Sequence, residues 1–179
     1  MLTAGSSLEH VTSGDIIREA KPDDFAGVAE MHYPAWRRSW TGVLIAPLLD
    51  MLGPPKRWAA EVYPQTLSRT GWTMWIAESG GHPVGMTIFG PDPAEPDAVH
   101  IDALYVADQR QRHGIGGRLL DHTLRSNPSG DVVLWCATTN EKARRFYEKN
   151  DFRLDGRTLD WEPLPGVKVP HLGYRLRRR

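Results

Sequence analysis

Apolar side chains recur along this chain with two periods, and the change from one to the other marks its elements. Phe25, Val28, Ala29, His32 and Trp36 fall at spacings of three and four, one face of a helix. Pro22 stands where that helix can start, and Asp23 and Asp24 set negative charge against the positive end of its dipole. Ahead of it, Asp15–Ala20 predicts a short first strand. Trp36–Pro55 has no period and holds Gly42, Pro47, Gly53, Pro54 and Pro55, so it reads as irregular. A second helix is expected from near Lys56 to about Arg69. Trp72–Glu78 alternates, a turn follows at Ser79–Pro83, and Val84–Phe89 returns as the second arm of a hairpin. After a Pro-rich loop over Gly90–Asp97, Val99–Val106 is rich in strand formers, and Ala107–His113 is a polar loop. Gly114–Arg125 reads as a helix with Ile115, Leu119, Leu120 and Leu124 on one side. After a turn at Asn127–Gly130, the unbroken apolar run Val132–Ala137 predicts a buried strand. A helix over Asn140–Asn150 and strands over Phe152–Leu159 and His171–Arg177 complete the chain.

This mixed order of about seven strands and four helices predicts an α+β fold on one central sheet. No repeat or linker divides it, so 15–179 is read as a single domain. Residues 1–14 are small, polar and aperiodic, and read as a flexible arm.

Composition narrows the function classes. At 179 residues the chain can bury a core without disulfides. Lys+Arg and Asp+Glu both number 22, so no global field favours nucleic acid or an anionic membrane. The cluster Arg175–Arg179 reads as a solvated end. Apolar runs such as Val43–Leu49 are too short to span a bilayer. The first residues show neither a basic start nor an apolar stretch, so a cytoplasmic protein is expected. The single cysteine, Cys136, lies in V-V-L-W-C-A and reads as plain core, which leaves no cysteine-based metal site. His100 and Asp102 have metal-like spacing but no evident third ligand, so no metal is expected.

The most informative stretch is Gln111-Arg112-His113-Gly114-Ile115-Gly116-Gly117, between an apolar strand and an amphipathic helix. Glycines there allow a tight turn, and the free N–H groups of the helix start make a phosphate site. Arg110, Arg112, His113 and Arg118 can add positive charge; the competing reading is a turn that needs glycine only for its shape. The Walker pattern and the dinucleotide G-x-G-x-x-G are both absent. Gln111–Gly116 instead resembles the Q/R-x-x-G-x-G/A signature of the GNAT acetyltransferase superfamily. Asn140–Phe152 is similar to that family's N-x-x-A-x-x-F-Y-E-x-x-G-F motif. The departures are Asp151, usually glycine, and Arg112, often glycine. Either Asn150 or Asp151 can take the left-handed conformation at the helix end.

The resemblance implies a GNAT-like fold with a mixed, mostly antiparallel sheet, and acetyl-CoA as co-substrate. It implies that the backbone of Leu104, Tyr105 and Val106 pairs with pantetheine beside a bulge. It implies too that Gln111, Arg112, His113, Gly114, Ile115, Gly116 and Gly117 wrap the pyrophosphate, with Asn140 and Ala143 lining the cofactor arm. Asn140 is equally a helix cap. Tyr147 shares a helix face with Asn140 and Ala143, and its phenol can protonate the departing thiolate; its other role is packing. Phe146 is expected in the core.

Direct attack by an amine needs no nucleophilic residue, and no G-x-S-x-G elbow is present. The base is open between His100, Asp102 and neither. His100, Asp102, Leu104 and Val106 alternate onto one strand face, and histidine titrates near neutrality. Trp36 and Trp40 flank the unpatterned segment where the family's acceptor site lies, and they are candidate substrate walls.

The leading expectation is N-acetylation of a small-molecule primary amine. The alternatives are a protein N-terminal or lysine acetyltransferase and a non-catalytic acyl-CoA sensor. No nucleic-acid or membrane partner is expected, and a homodimer is left open.

Overall fold

The structure, a computed structural model, describes residues 14–178. Apart from Gly14, the arm expected over 1–14 lies outside the described residues, as does Arg179. Seven strands form one sheet in the order β1 (Ile16–Glu19), β2 (Thr73–Ser79), β3 (His82–Pro91), β4 (Val99–Val106), β5 (Val132–Ala137), β7 (Val167–Leu176) and β6 (Arg153–Leu164). All neighbours are antiparallel except β4 and β5, which are parallel. The expected α+β, mostly antiparallel architecture is therefore present.

One face of the sheet carries α1 (Phe25–Trp40), α2 (Ala46–Leu52) and a helical run over 55–67. In that run α3 (Pro55–Arg57), a π-helical turn (Trp58–Val62) and α4 (Tyr63–Leu67) follow without a break. The other face carries α5 (Ile115–Ser126) and α6 (Glu141–Lys149). Pattern reading misses α2, because its seven residues bury only Leu49 and give no stripe. Pro47 lies in its first turn, where a proline starts a helix rather than breaking it.

Strand alternation divides the core into two layers. Met74 and Ile76 of β2 and Met86 and Ile88 of β3 pack beneath α1 with Val28, Trp36, Trp58 and Tyr63. On the opposite face Leu120, Val132, Leu134, Cys136, Tyr147, Phe152 and Tyr174 form the second layer. Burying a side chain such as Phe152, which is 0% exposed, contributes about 2–3 kcal/mol.

Two irregularities in β4 interrupt the sheet. Ile88 of β3 pairs with Ala103, but the next residue, Phe89, pairs with Ile101, so Asp102 is the extra residue of a β-bulge. Beside it, β4 pairs with β5 only from Val99 to Ile101. Beyond that point the two central strands separate and leave a wedge in the sheet.

Candidate active site

The bulge reverses the strand's alternation. Val99 N–H bonds toward β5 at Asp131 C=O (2.8 Å), whereas Ala107 N–H bonds toward β3 at Val84 C=O (2.9 Å). Period two then turns the backbone groups of Leu104 and Val106 toward the wedge and those of Tyr105 toward β3. Val106 C=O fits this placement, since it accepts from Gln111 Nε2 at 3.0 Å. The bulge lies at Asp102, ahead of the Leu104–Val106 position expected from the resemblance.

Side-chain faces follow the same reversal, and they correct the sequence reading. His100, Asp102, Leu104 and Val106 do not share a face. Ala103 and Tyr105 pack under α1, while Leu104 and Val106 pack on the α5–α6 side. His100 keeps company with the first group, its ring 6.1 Å from that of Trp72. Asp102 is on that side too, within reach of the charges of His100 and Arg69.

At the end of the wedge, Gly114 is the N-cap of α5 with φ 79°, a left-handed conformation that favours glycine. Arg112 is also left-handed, at φ 67°. Among the described residues, the backbone N–H groups from Arg112 to Gly117 meet no backbone acceptor. Space stands open above Gly114 and Gly117, where an added Cβ would meet nothing within 4 Å. These donors converge on the positive end of a twelve-residue helix, which suits an anion.

The nearby cations are not equally available. Arg110 bonds Asp15 at 2.6 Å, and Arg118 lies 3.6 Å from the same carboxylate. Arg112 and His113 are exposed, and Lys142 contacts Gln111 Oε1.

Asn140 caps α6, its Oδ1 accepting from Ala143 N–H at 3.1 Å. Ala143 and Tyr147 both face the second core layer, and the half-buried Phe146 packs with them. Helix α6 closes with Asp151 at φ 66°. Asp151 N–H bonds Glu148 C=O, and Phe152 N–H bonds Tyr147 C=O. This is a Schellman ending, and its apolar contact is the Tyr147–Phe152 ring pair at 5.6 Å. The side of α6 is tied down by Arg144 Nε donating to Tyr174 hydroxyl (3.1 Å), which donates to Glu148 Oε1 (2.8 Å). Tyr147 packs between these groups, its ring centroid 5.6 Å from Phe152 and 6.4 Å from Tyr174. Burial raises its phenol pKa well above the usual value, with Cys136 and Tyr105 adding to the effect, so the hydroxyl stays protonated at neutral pH.

His100 Nδ1 lies 3.1 Å from Asp92 Oδ2. Asp92 is buried in the Pro-rich loop, and its other oxygen accepts N–H groups from Ala94 and Glu95, each at 2.9 Å. Sequence reasoning missed Asp92: it lies in a stretch without periodicity, and only tertiary pairing brings it to His100. Asp102 is exposed to solvent, yet desolvation by the surrounding protein raises its carboxyl pKa, with His100 and Arg69 opposing.

Trp36 is buried, its ring 5.2 Å from Trp58 and 6.1 Å from Tyr33, and it belongs to the core under α1. Trp40 is half-buried, with ring centroids 5.0 Å from Trp161 and 5.9 Å from His171. Its indole N–H is buried beside the Tyr105 hydroxyl, whose pKa it lowers against the effect of burial. Among the described residues no group of three or more His, Cys, Asp or Glu could hold a metal ion, and no helix is long and apolar enough to cross a membrane. A cavity of about 340 Å³ opens away from the wedge, against Glu95, Asp131 and Arg175, three side chains already engaged in ion pairs.

The sheet is mixed and split at its centre, and free N–H groups at a helix start stand at the end of the split. A sequence profile of the Acetyltransferase (GNAT) family matches residues 29–152, and the chain belongs to that family. It is 67% identical over 162 residues to "Probable N-acetyltransferase Rv2775" of Mycobacterium tuberculosis, covering 90% of this chain and 93% of the relative. PaiA N-acetyltransferase of Thermoplasma acidophilum, solved in complex with coenzyme A, superposes with a TM-score of 0.68 at 14% identity, over 89% of this chain and 98% of its own. YncA of Salmonella typhimurium, solved with its cofactor acetyl-CoA, gives a TM-score of 0.67 at 18% identity, over 92% and 94%. These two structures show the shared fold.

Proposed function

We propose that this protein transfers an acetyl group from acetyl-CoA to a primary amine of a small molecule, by direct attack in a ternary complex. The observation that supports this most is the wedge between β4 and β5, with free backbone groups along it and free N–H groups at its end. Coenzyme A in the Thermoplasma structure and acetyl-CoA in the Salmonella one point the same way.

In this reading the pyrophosphate lies over Gln111–Gly117, and the pantetheine arm pairs with Leu104 and Val106 and passes Ala143 and Asn140. An N–H of that strand stabilises the oxyanion. The acceptor enters from the α1 side, past Trp40, Trp161 and His171. The ring faces along this approach would attract a cationic amine.

His100 takes one proton from the ammonium and returns it to solvent. The free amine attacks, the C–N bond forms and the C–S bond breaks. Tyr147 gives its proton to the sulfur and is reprotonated from solvent, while the nitrogen's surplus proton leaves to water. Asp102 attracts the incoming ammonium. The route needs no metal.

The test is thiol release from acetyl-CoA with a panel of small amines, beside acetyl-CoA binding. Turnover on small amines is expected. Binding without turnover on any amine points to a sensor, and turnover only with peptides points to a protein acetyltransferase. Tyr147→Phe is expected to keep fold and cofactor affinity and to lower kcat by about tenfold or more. An unchanged kcat, with chemistry rate-limiting, removes Tyr147 from the mechanism.

A further inference from the structure

We infer that Asp92 is a positioning residue that fixes the tautomer of His100, so that Nε2 is the nitrogen left free to accept the substrate's proton. This rests on the reading of His100 as base.

Asp92 is 4% exposed, and its two oxygens do different work. Oδ1 is occupied by the N–H groups of Ala94 and Glu95. Oδ2 faces only His100 Nδ1, at 3.1 Å. Burial pushes the Asp92 pKa up, but the two backbone N–H groups and His100 outweigh it and hold the carboxyl below the usual range. An ionised carboxylate only accepts hydrogen bonds, so Nδ1 must carry the proton. The lone pair then sits on Nε2, which has no protein partner among the described residues.

The loop bearing Asp92 is itself held. Asp92 N–H bonds Ala98 C=O at 2.9 Å, Ala98 N–H bonds Glu95 C=O at 2.7 Å, and Arg175 grips Glu95 at 2.6 Å. The other groups around His100 are Asp102 on its own strand, the Trp72 ring, and Arg69 stacked 3.8 Å over that ring. None of these competes for Nδ1.

The substitution Asp92→Asn separates the two oxygens' roles. The amide oxygen is still required by Ala94 and Glu95, so the NH₂ turns to Nδ1. Nδ1 must then accept, and the proton moves to Nε2. Nitrogen-15 shifts of His100 in the whole protein at pH 8 report this directly. The parent is expected to show protonated Nδ1, and Asp92→Asn protonated Nε2. The variant's kcat should fall about 10²-fold, with KM for both substrates nearly unchanged.

A parent spectrum with protonated Nε2 overturns the inference, even if the variant fails to fold. So does an Asp92→Asn protein that keeps the parental tautomer. His100→Gln tests the underlying reading separately. If it retains the parental kcat and pH profile, His100 is not the base, while the tautomer spectra still decide what Asp92 does.

Discussion

His32 shows how one side chain's chemistry is set by what surrounds it. It is buried under α1, with ring centroids 4.2 Å from Tyr105 and 4.5 Å from Trp58. Nδ1 meets the Tyr63 hydroxyl at 3.0 Å, and Nε2 has no partner. Burial therefore drives its pKa down to about 3. Unfolded, the same imidazole titrates near 6.5, so between these values the unfolded chain binds more protons than the folded one. Stability on this account is full above pH 6.5 and is lost as pH falls toward 3. The loss amounts to about 2 kcal/mol at pH 5. His32→Phe keeps the ring and removes the titration. Its Tm should decline less than the parent's between pH 7 and pH 5 in calorimetry, and parallel declines would disprove the assignment.

At the scale of elements, two helix ends do separate work. The start of α5 gathers free N–H groups around a left-handed Gly114. Gly114→Glu strains that backbone and places negative charge where phosphate is proposed to bind. Acetyl-CoA affinity should fall at least tenfold in calorimetric titration, in a variant whose circular dichroism is unchanged. Parental affinity would remove the loop from the cofactor site. The end of α6 is different, because a non-glycine residue, Asp151, occupies its left-handed position. Asp151→Gly relieves that conformation and should stabilise the protein by about 0.5–1 kcal/mol. In a chain of this size, that is about 2–4 °C in Tm at the upper end. The Tyr147–Phe152 contact survives the change, so kcat should not move.

Across the whole molecule, β4 and β5 at the centre of the sheet share the shortest central pairing, from Val99 to Ile101. Hydrogen exchange can read that contrast. Acetyl-CoA should slow exchange at Leu104, Val106 and Arg112–Gly117, whose N–H groups lack acceptors, and leave β1 and β2 nearly unaffected. Ligand binding should also raise Tm with acetyl-CoA concentration. Protection spread evenly over the sheet, or confined to the cavity beside Arg175, would place the cofactor elsewhere.

The glycine loop, the strand before it and the helix bearing Asn140, Ala143 and Tyr147 were legible in the sequence as elements, because each forms from neighbours within about ten positions. Turn glycines, helical spacing and an N-cap are local physics. The pairing order of the strands and the bulge at Asp102 were not legible, since a bulge arises from how two distant strands share register. That one extra residue put Leu104 and Val106 on the opposite face from the one strict alternation predicts. The Asp92–His100 contact was equally hidden, because loop closure over Glu95–Ala98 brings the two groups together. Trp36 and Trp40 look alike in sequence, and only packing separates the buried core ring from the half-buried one beside Trp161 and His171. The sequence by itself therefore determined the elements, the family's motifs and the proposed proton donor. Tertiary structure decided which backbone atoms are left unpaired and which nitrogen of His100 is free, because both depend on contacts between segments far apart in the chain.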